Sequence, residues 1–255
     1  AEELRGLAVE FKVPIMSATQ TNRQGFQNTD VGLEDTSESF GLPATADFMF
    51  ALISTEDLQE LDQVMIKHMI DEQAVGLYAI ATRLSTAWYF IPIAITSSMF
   101  PAILNAKYNN SSIYHQRLQT LYDILVWMAI LIAIAILFLS ESIIDLLVGH
   151  EYAPAASVLS IAIIAGIFTN IGLINNKFFE AENRQIDILY RSLMGVSVNI
   201  ILNIILIKKY GIYGAALATV AAQFTTSIVY TYLKKDSRIL FFMFLKSFDA
   251  RRIFS

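Results

Sequence analysis

Residues Ile124–Leu139 read ILVWMAILIAIAILFL. Sixteen consecutive apolar residues cover every face of a helix, so no side is left for water. A soluble helix keeps a polar face; this one asks for lipid. The rest of the chain agrees. Hydrophobic residues make up 55% and charged residues 16%, against about a quarter charged in an average soluble domain. Mean hydropathy is +0.51. That composition excludes an intrinsically disordered chain and a basic nucleic-acid coat.

Outward from that stretch, the absence of Asp, Glu, Lys and Arg marks four more runs, at 84–106, 152–176, 192–207 and 210–233, beside 124–140 itself. A hydrocarbon core of about 30 Å takes about 20 helical residues. The two shorter runs reach it once flanking Lys and Arg snorkel outward. The expectation is a mostly α, polytopic membrane bundle of about five spans, near 80–106, 119–140, 152–176, 189–207 and 211–233.

Lys and Arg set the orientation. With the C-terminus inside, the inner segments hold eleven: Lys107, Arg117, Lys177, Arg184, Arg191, Lys234, Lys235, Arg238, Lys246, Arg251 and Arg252. The outer loops hold two, Lys208 and Lys209. The C-terminus is therefore expected to be cytoplasmic. The first 60 residues are polar and acidic, so no cleavable signal peptide is expected ahead of the spans.

Charge also divides the chain. Residues 1–62 carry three basic and twelve acidic side chains, a charge of −9, while 63–255 carry fifteen and eleven, a charge of +4. Residues 1–61 are expected to form a small, incomplete α/β piece. Leu4, Leu7, Ala8 and Phe11 follow a helical stripe, Val13–Ala18 and Phe48–Ile53 have strand character, and a polar stretch separates them. Cysteine is absent and the three histidines, His68, His115 and His150, lie far apart. No metal site, cofactor or catalytic residue is expected.

Two resemblances sharpen this reading. DQVMIKHMIDEQAVGLYAIATRLSTAWYFIPIAITSSMFPAI (62–103), EYAPAASVLSI (151–161) and YGIYGAALATVAAQ (210–223) resemble, in order, landmarks of the C-terminal lobe of Wzx-type polysaccharide flippases. These belong to the multidrug/oligosaccharidyl-lipid/polysaccharide exporter superfamily. The resemblance covers 62–255, with Asp62–Ile70 as a stub of the lobe's first helix. It implies a non-enzymatic transporter of the bacterial inner membrane. Its partners would be membrane lipids, an undecaprenyl-pyrophosphate-linked glycan and an N-terminal lobe that this chain lacks. A drug or cation exporter of the same superfamily is the alternative.

Arg83 is the first substrate-binding candidate. A guanidinium near the head of a span is costly unless paired or wet, and it matches the bidentate geometry of a phosphate. The other reading is a snorkelling side chain at a helix end. Trp88 and Tyr89 lie close by and are candidates to face the cavity, although they also fit interfacial belts or packing. Asn199 and Asn203, four apart, share a helical face. They can line a polar cavity or, as in most membrane bundles, hydrogen-bond a neighbouring helix. Asn170, Asn175 and Asn176 read as solvating a helix end, and Gly211, Gly214, Ala215, Ala216 and Ala218 as close-packing residues.

PIMSATQTNR (14–23) and DTSESFGLPATADFMFAL (35–52) resemble motifs of DnaB-type replicative helicases, most nearly those of tailed phages. That resemblance implies a RecA-like fragment over 1–61, with Gln20 as the residue that senses the nucleotide γ-phosphate and a DNA-contacting loop around 23–35. No G-x-x-x-x-G-K-[ST] loop occurs in the chain, so nothing cradles the phosphates. A charge of −9 repels DNA. Nucleic acid is therefore not expected as a partner, and a fragment of an ATP-dependent helicase stands as the alternative identity. The two resemblances abut at 61/62 without a linker, as in a chimera of two truncated parents.

Overall fold

The chain divides into two compact units, Ala1–Ile53 and Ser54–Ser255. The computed structural model describes residues 55–249, all within the second unit. The RecA-like fragment expected over 1–61 lies outside the described residues, Gln20 included, apart from its last seven positions. Those seven are helical. Among the described residues there is no strand.

Helix α1 (Thr55–Met69) runs through the 61/62 boundary, so the expected stub at Asp62–Ile70 is the C-terminal half of a longer helix. Leu58, Asp62 and Ile66, each four apart, are buried and form its inward stripe. Asp71 then caps α2 (Glu72–Thr86), its carboxylate accepting the Ala74 N–H at 2.7 Å. After the turn at residues 87–89, α3 (Phe90–Asn109) continues the same apolar segment. Asn110 caps α4 (Ser111–Leu147) by accepting the N–H groups of Ser112 and Ile113. At 37 residues α4 is about 55 Å long, well beyond a hydrocarbon core of about 30 Å, so it projects from the membrane.

Beyond the turn at Gly149 come α5 (Ala153–Ala181) and α6 (Gln185–Tyr210). The final span is α7 (Ile212–Phe224), a π-helical turn (Thr225–Val229) and α8 (Tyr230–Leu233). A short amphipathic helix, α9 (Arg238–Lys246), follows. The α6–α7 hairpin is tight. A Cβ on Gly214 would lie 2.1 Å from the Leu206 carbonyl oxygen, so only glycine permits that approach.

Five helical segments are long and apolar enough to cross a membrane, the number that the charge pattern gives: Glu72–Asn109, Ser111–Leu147, His150–Ala181, Gln185–Tyr210 and Ile212–Leu233. The protein is an integral membrane protein. The third and fifth segments are the centre of the bundle, with 50% and 56% of their most apolar windows buried, against 22–28% for the others. Helix α5 packs on α2, α3, α4, α6 and α7, while α1 packs on α2, α6 and α7. Helix–helix association in lipid depends on close packing and interhelical hydrogen bonds, because lipid tails are as apolar as leucine. Small residues supply the first: Ala155, Ala215 and Ala218 are wholly buried.

Buried amides supply the second. Asn170 and Asn175, read above as solvating a helix end, are both buried. Asn175 accepts from the Tyr122 hydroxyl and donates to the Ser227 carbonyl at 2.9 Å, joining α4, α5 and the π-helical turn. That pairing, and not solvation, fixes the position of Asn175. Burial without a partner would cost several kcal/mol, about 2–7 by transfer measurements.

Candidate functional site: a buried carboxylate among neutral donors

The inward stripe of α1 places Asp62 between α2, α6 and α7, where it is fully buried. Four neutral groups reach it. Tyr78 of α2 donates its hydroxyl to Oδ2 at 2.5 Å. From α6, Asn203 and Asn199 donate their amides to Oδ1 at 2.6 and 3.0 Å. Thr219 of α7 donates its hydroxyl to Oδ2. The amides also pair with each other, Asn203 donating to the Asn199 Oδ1 at 3.0 Å.

Among the described residues no Lys, Arg or His pairs with Asp62. An isolated carboxylate inside a bundle is expensive, and four neutral donors offset only part of the cost. A proton or a bound cation removes the remainder. Asp62, Asn199, Asn203 and Thr219 are all oxygen-bearing, and the Asn203 Oδ1 is buried with no hydrogen-bond partner among the described residues. Both carboxylate oxygens are met by N–H and O–H donors, so a cation there would have to turn those donors aside, whereas a proton would not. A single carboxylate balances one positive charge, which favours a monovalent ion.

Of the residues singled out in the sequence, Asn199 and Asn203 are brought together here. Both are fully buried, and both hydrogen-bond across helices. Arg83 stands apart at the end of α2, exposed, its guanidinium without a hydrogen bond or ion pair among the described residues. Trp88 is buried in a small apolar cluster with Ala129, Ala133 and Ile163, and its indole N–H has no partner. Asp62, Tyr78 and Thr219 were not anticipated. The available signal was the spacing of Leu58, Asp62 and Ile66, which puts the acid on the apolar stripe of α1.

A second polar centre lies around the π-helical turn. Arg191 of α6 is buried, donates from Nε to the Thr226 carbonyl at 3.0 Å and from one terminal nitrogen to Asn176 Oδ1 at 2.7 Å, and lies over the Phe179 ring. One turn earlier, Asp187 is ion-paired to Arg184 at 2.7 Å and to Lys234, and accepts from the Tyr230 hydroxyl at 2.7 Å. It ties the start of α6 to the end of the last span.

Comparison with known proteins agrees with this architecture. The MatE family model matches residues 48–205, more than half of the chain. A relative from Haloferax volcanii, described as a probable low-salt glycan biosynthesis flippase, is 25% identical over 176 residues, 68% of this chain and 37% of that protein. The lipid II flippase MurJ in an inward closed conformation superposes with a TM-score of 0.56 at 18% identity, over 76% of this chain and 44% of that one. A DnaB-like replicative helicase of Enterobacteria phage T4 is 49% identical over 69 residues, which are 27% of this chain and 14% of the helicase. The chain thus spans less than half the length of each of these relatives. With a family match across most of the bundle and a flippase fold around it, the chain belongs to the MatE family of membrane transporters.

Proposed function

We propose that residues 62–255 are the C-terminal lobe of a flippase for lipid-linked oligosaccharide units, coupled to a proton or a monovalent cation held at Asp62. The coupling rests on one observation: a fully buried carboxylate with four neutral donors and no cationic partner among the described residues. The cargo class is supported by the glycan biosynthesis flippase among the relatives. Rocking of one lobe against another around a central cavity is a common transporter design. This lobe supplies one wall, and an N-terminal lobe supplies the other. Arg83, exposed on α2, is the group suited to a pyrophosphate. Asn199 and Asn203 act on the coupling ion and not on the sugar. The eleven inner cations against two outer ones support a cytoplasmic C-terminus in a cytoplasmic membrane.

Residues 1–61 are read as a helicase-derived fragment without a phosphate-binding loop, and the 69-residue phage match is long enough to run on into α1, where the MatE match over 48–205 overlaps it. The 49% identical phage stretch supports the origin. A single long DNA read over the codons for Ala51–Gly76 tests it; two separate genes would remove the fusion.

The coupling is tested on the full chain in lipid nanodiscs. Thermal stability is expected to rise with Na+ over choline, or with acidification when the proton is the coupling ion. Asp62→Asn is expected to abolish the response. A chain indifferent to both ions, or a response that survives Asp62→Asn, overturns it.

A further inference from the structure

Helix α9 (Arg238–Lys246) lies along the boundary of the membrane and does not cross it. Nine residues reach about 13 Å, far short of a hydrocarbon core of about 30 Å. Its N-terminal end comes just after the uncharged run 210–233. That end is tied to the start of α6, where Arg184 donates to the Asp236 carbonyl at 3.2 Å and to the Ser237 hydroxyl at 3.3 Å. Its C-terminal end is tied to α4 beside the beginning of the uncharged run 124–140. There the Gln119 amide donates to the Met243 carbonyl at 2.9 Å, and the Trp127 indole N–H to the Ser247 carbonyl at 2.9 Å. Both ends therefore sit where lipid gives way to water, and Trp127 is a side chain of the kind that such a boundary favours.

Three stripes run along this helix and its C-cap. Leu240, Met243 and Ser247, at i, i+3 and i+7, are buried and pack on α4. Phe241, Leu245 and Phe248, at i, i+4 and i+7, form an apolar stripe beside them, with Leu245 and Phe248 exposed. Arg238, Phe242 and Lys246, at i, i+4 and i+8, form the third, and all three are exposed. Lys235 is exposed just ahead of the helix. Arg238 donates to the Tyr232 carbonyl at 2.9 Å and lies over the Tyr232 ring. Among the described residues neither it nor Lys235 nor Lys246 has an ion pair, unlike Lys234, which is held by Asp187. The sequence goes on to Arg251 and Arg252, so residues 234–252 carry six basic side chains against two acidic ones, Asp236 and Asp249.

An apolar stripe beside a cationic one, on a helix held flat at the boundary, matches a leaflet that offers acyl chains on one side and negative headgroups on the other. Water alone would leave Leu245 and Phe248 unburied, and a zwitterionic leaflet gives the three cations no net charge to meet. We propose that α9 is a recognition surface for anionic phospholipid. Phe241, Leu245 and Phe248 enter the acyl region, and Lys235, Arg238 and Lys246 meet the phosphate headgroups. This surface is separate from the polar centres at Asp62 and Asp187, and it depends on neither the cargo nor the coupling ion proposed above.

The chain has no cysteine, so Leu245→Cys creates a single thiol for a bimane fluorophore. The labelled full chain is placed in nanodiscs of equal phosphatidylglycerol and phosphatidylcholine, with quenching, dibrominated acyl chains on one lipid or on the other. Leu131→Cys, at an exposed position in the uncharged run of α4, is the reference for lipid contact away from any cation. At 131 the two lipids are expected to quench alike. At 245 both should quench, and the local ratio of phosphatidylglycerol to phosphatidylcholine should exceed that at 131 by at least about fivefold, the increment of one basic residue near an anionic surface. Lys235→Gln, Arg238→Gln and Lys246→Gln together should bring the ratio close to that at 131, and so should 1 M NaCl on the chain that keeps all three cations. The proposal is overturned if neither lipid quenches at 245 while both do at 131, if the two positions give equal ratios, or if 1 M NaCl leaves the preference unchanged. The salt comparison needs no charge substitution, so it decides the matter even where the triple variant does not fold.

Discussion

Two aspartates in this bundle are almost equally buried, and their surroundings are opposite. Asp187, 1% exposed, meets two cations, Arg184 and Lys234, and the neutral hydroxyl of Tyr230. Asp62, 0% exposed, is surrounded by two amides and two hydroxyls. Both are screened from solvent contact, Asp62 deep in the bundle and Asp187 close to its surface, and their compensation is opposite. Asp187 already has the countercharge that a buried carboxylate requires, supplied permanently by the fold, so it acts as a clamp. Asp62 lacks one, so its countercharge must arrive and can leave.

The largest effect that separates the two concerns stability. Asp187→Asn leaves Arg184 and Lys234 without their acid, and breaking such a pair typically costs about 3–5 kcal/mol when fully buried. Lys234 and Arg184 are 36% and 23% exposed at the side chain, so solvent screening reduces the expected loss to about 2 kcal/mol, read as unfolding free energy in detergent. Asp62→Asn removes a charge that no cation neutralises, and should alter basal stability by less than about 1 kcal/mol. If Asp62→Asn is the more damaging of the two in ion-free buffer, the contrast is wrong.

Next comes ion response. A ligand at a hundred times its Kd stabilises by about 2.7 kcal/mol, and Asp62→Asn should lose that increment while Asp187→Asn keeps it. Asn203→Asp would place a second carboxylate on the same ion. The stabilising cation should then change from Na+ towards Ca2+, followed by melting temperature in each salt. Arg191→Met is the third probe, because this buried cation has no carboxylate within hydrogen-bonding distance among the described residues. It should cost about 1.5–3 kcal/mol from two lost charge-assisted bonds and leave the Na+ response intact. The smallest structural effect belongs to Arg83→Ala, within about 0.5 kcal/mol for an exposed side chain. Its consequence should appear instead in native mass spectrometry, as weaker retention of undecaprenyl pyrophosphate relative to undecaprenol.

Much of this fold was legible in the sequence for one physical reason. Charge is excluded from hydrocarbon, so five uncharged runs mark five helices, and their number survives even though the helices extend past the runs at both ends. Helix α4 continues through Asp123 and Glu141, for example, because helical hydrogen bonding does not stop where the lipid does. The candidate site was half legible. Asn199 and Asn203 declare a shared face by their spacing alone. Asp62 was concealed by its neighbours, since Glu56, Asp57 and Glu60 make the segment read as solvated. Three of its four partners lie 137–157 residues away on α6 and α7, and no local pattern encodes that convergence. Asn175 illustrates the same limit. Its sequence position beside the end of a span suggested water, whereas packing of α5 at the centre of the bundle gave it Tyr122 and the Ser227 carbonyl instead.

The π-helical turn at Thr225–Val229 has a consequence for the register of the last span. A π turn accommodates one extra residue, and each helical residue turns the chain by about 100°. Thr219 lies before the turn and faces Asp62, while Tyr230 and Lys234 lie after it and face Asp187. One helix thus serves two aspartates that a straight α-helix would not present together. Removing a single residue between 225 and 229 would keep the span's length and hydropathy nearly unchanged, yet swing its C-terminal end by about a third of a turn and part Tyr230 and Lys234 from their acid. A relative with an uninterrupted α-helix at this point would align through the span only with a one-residue gap.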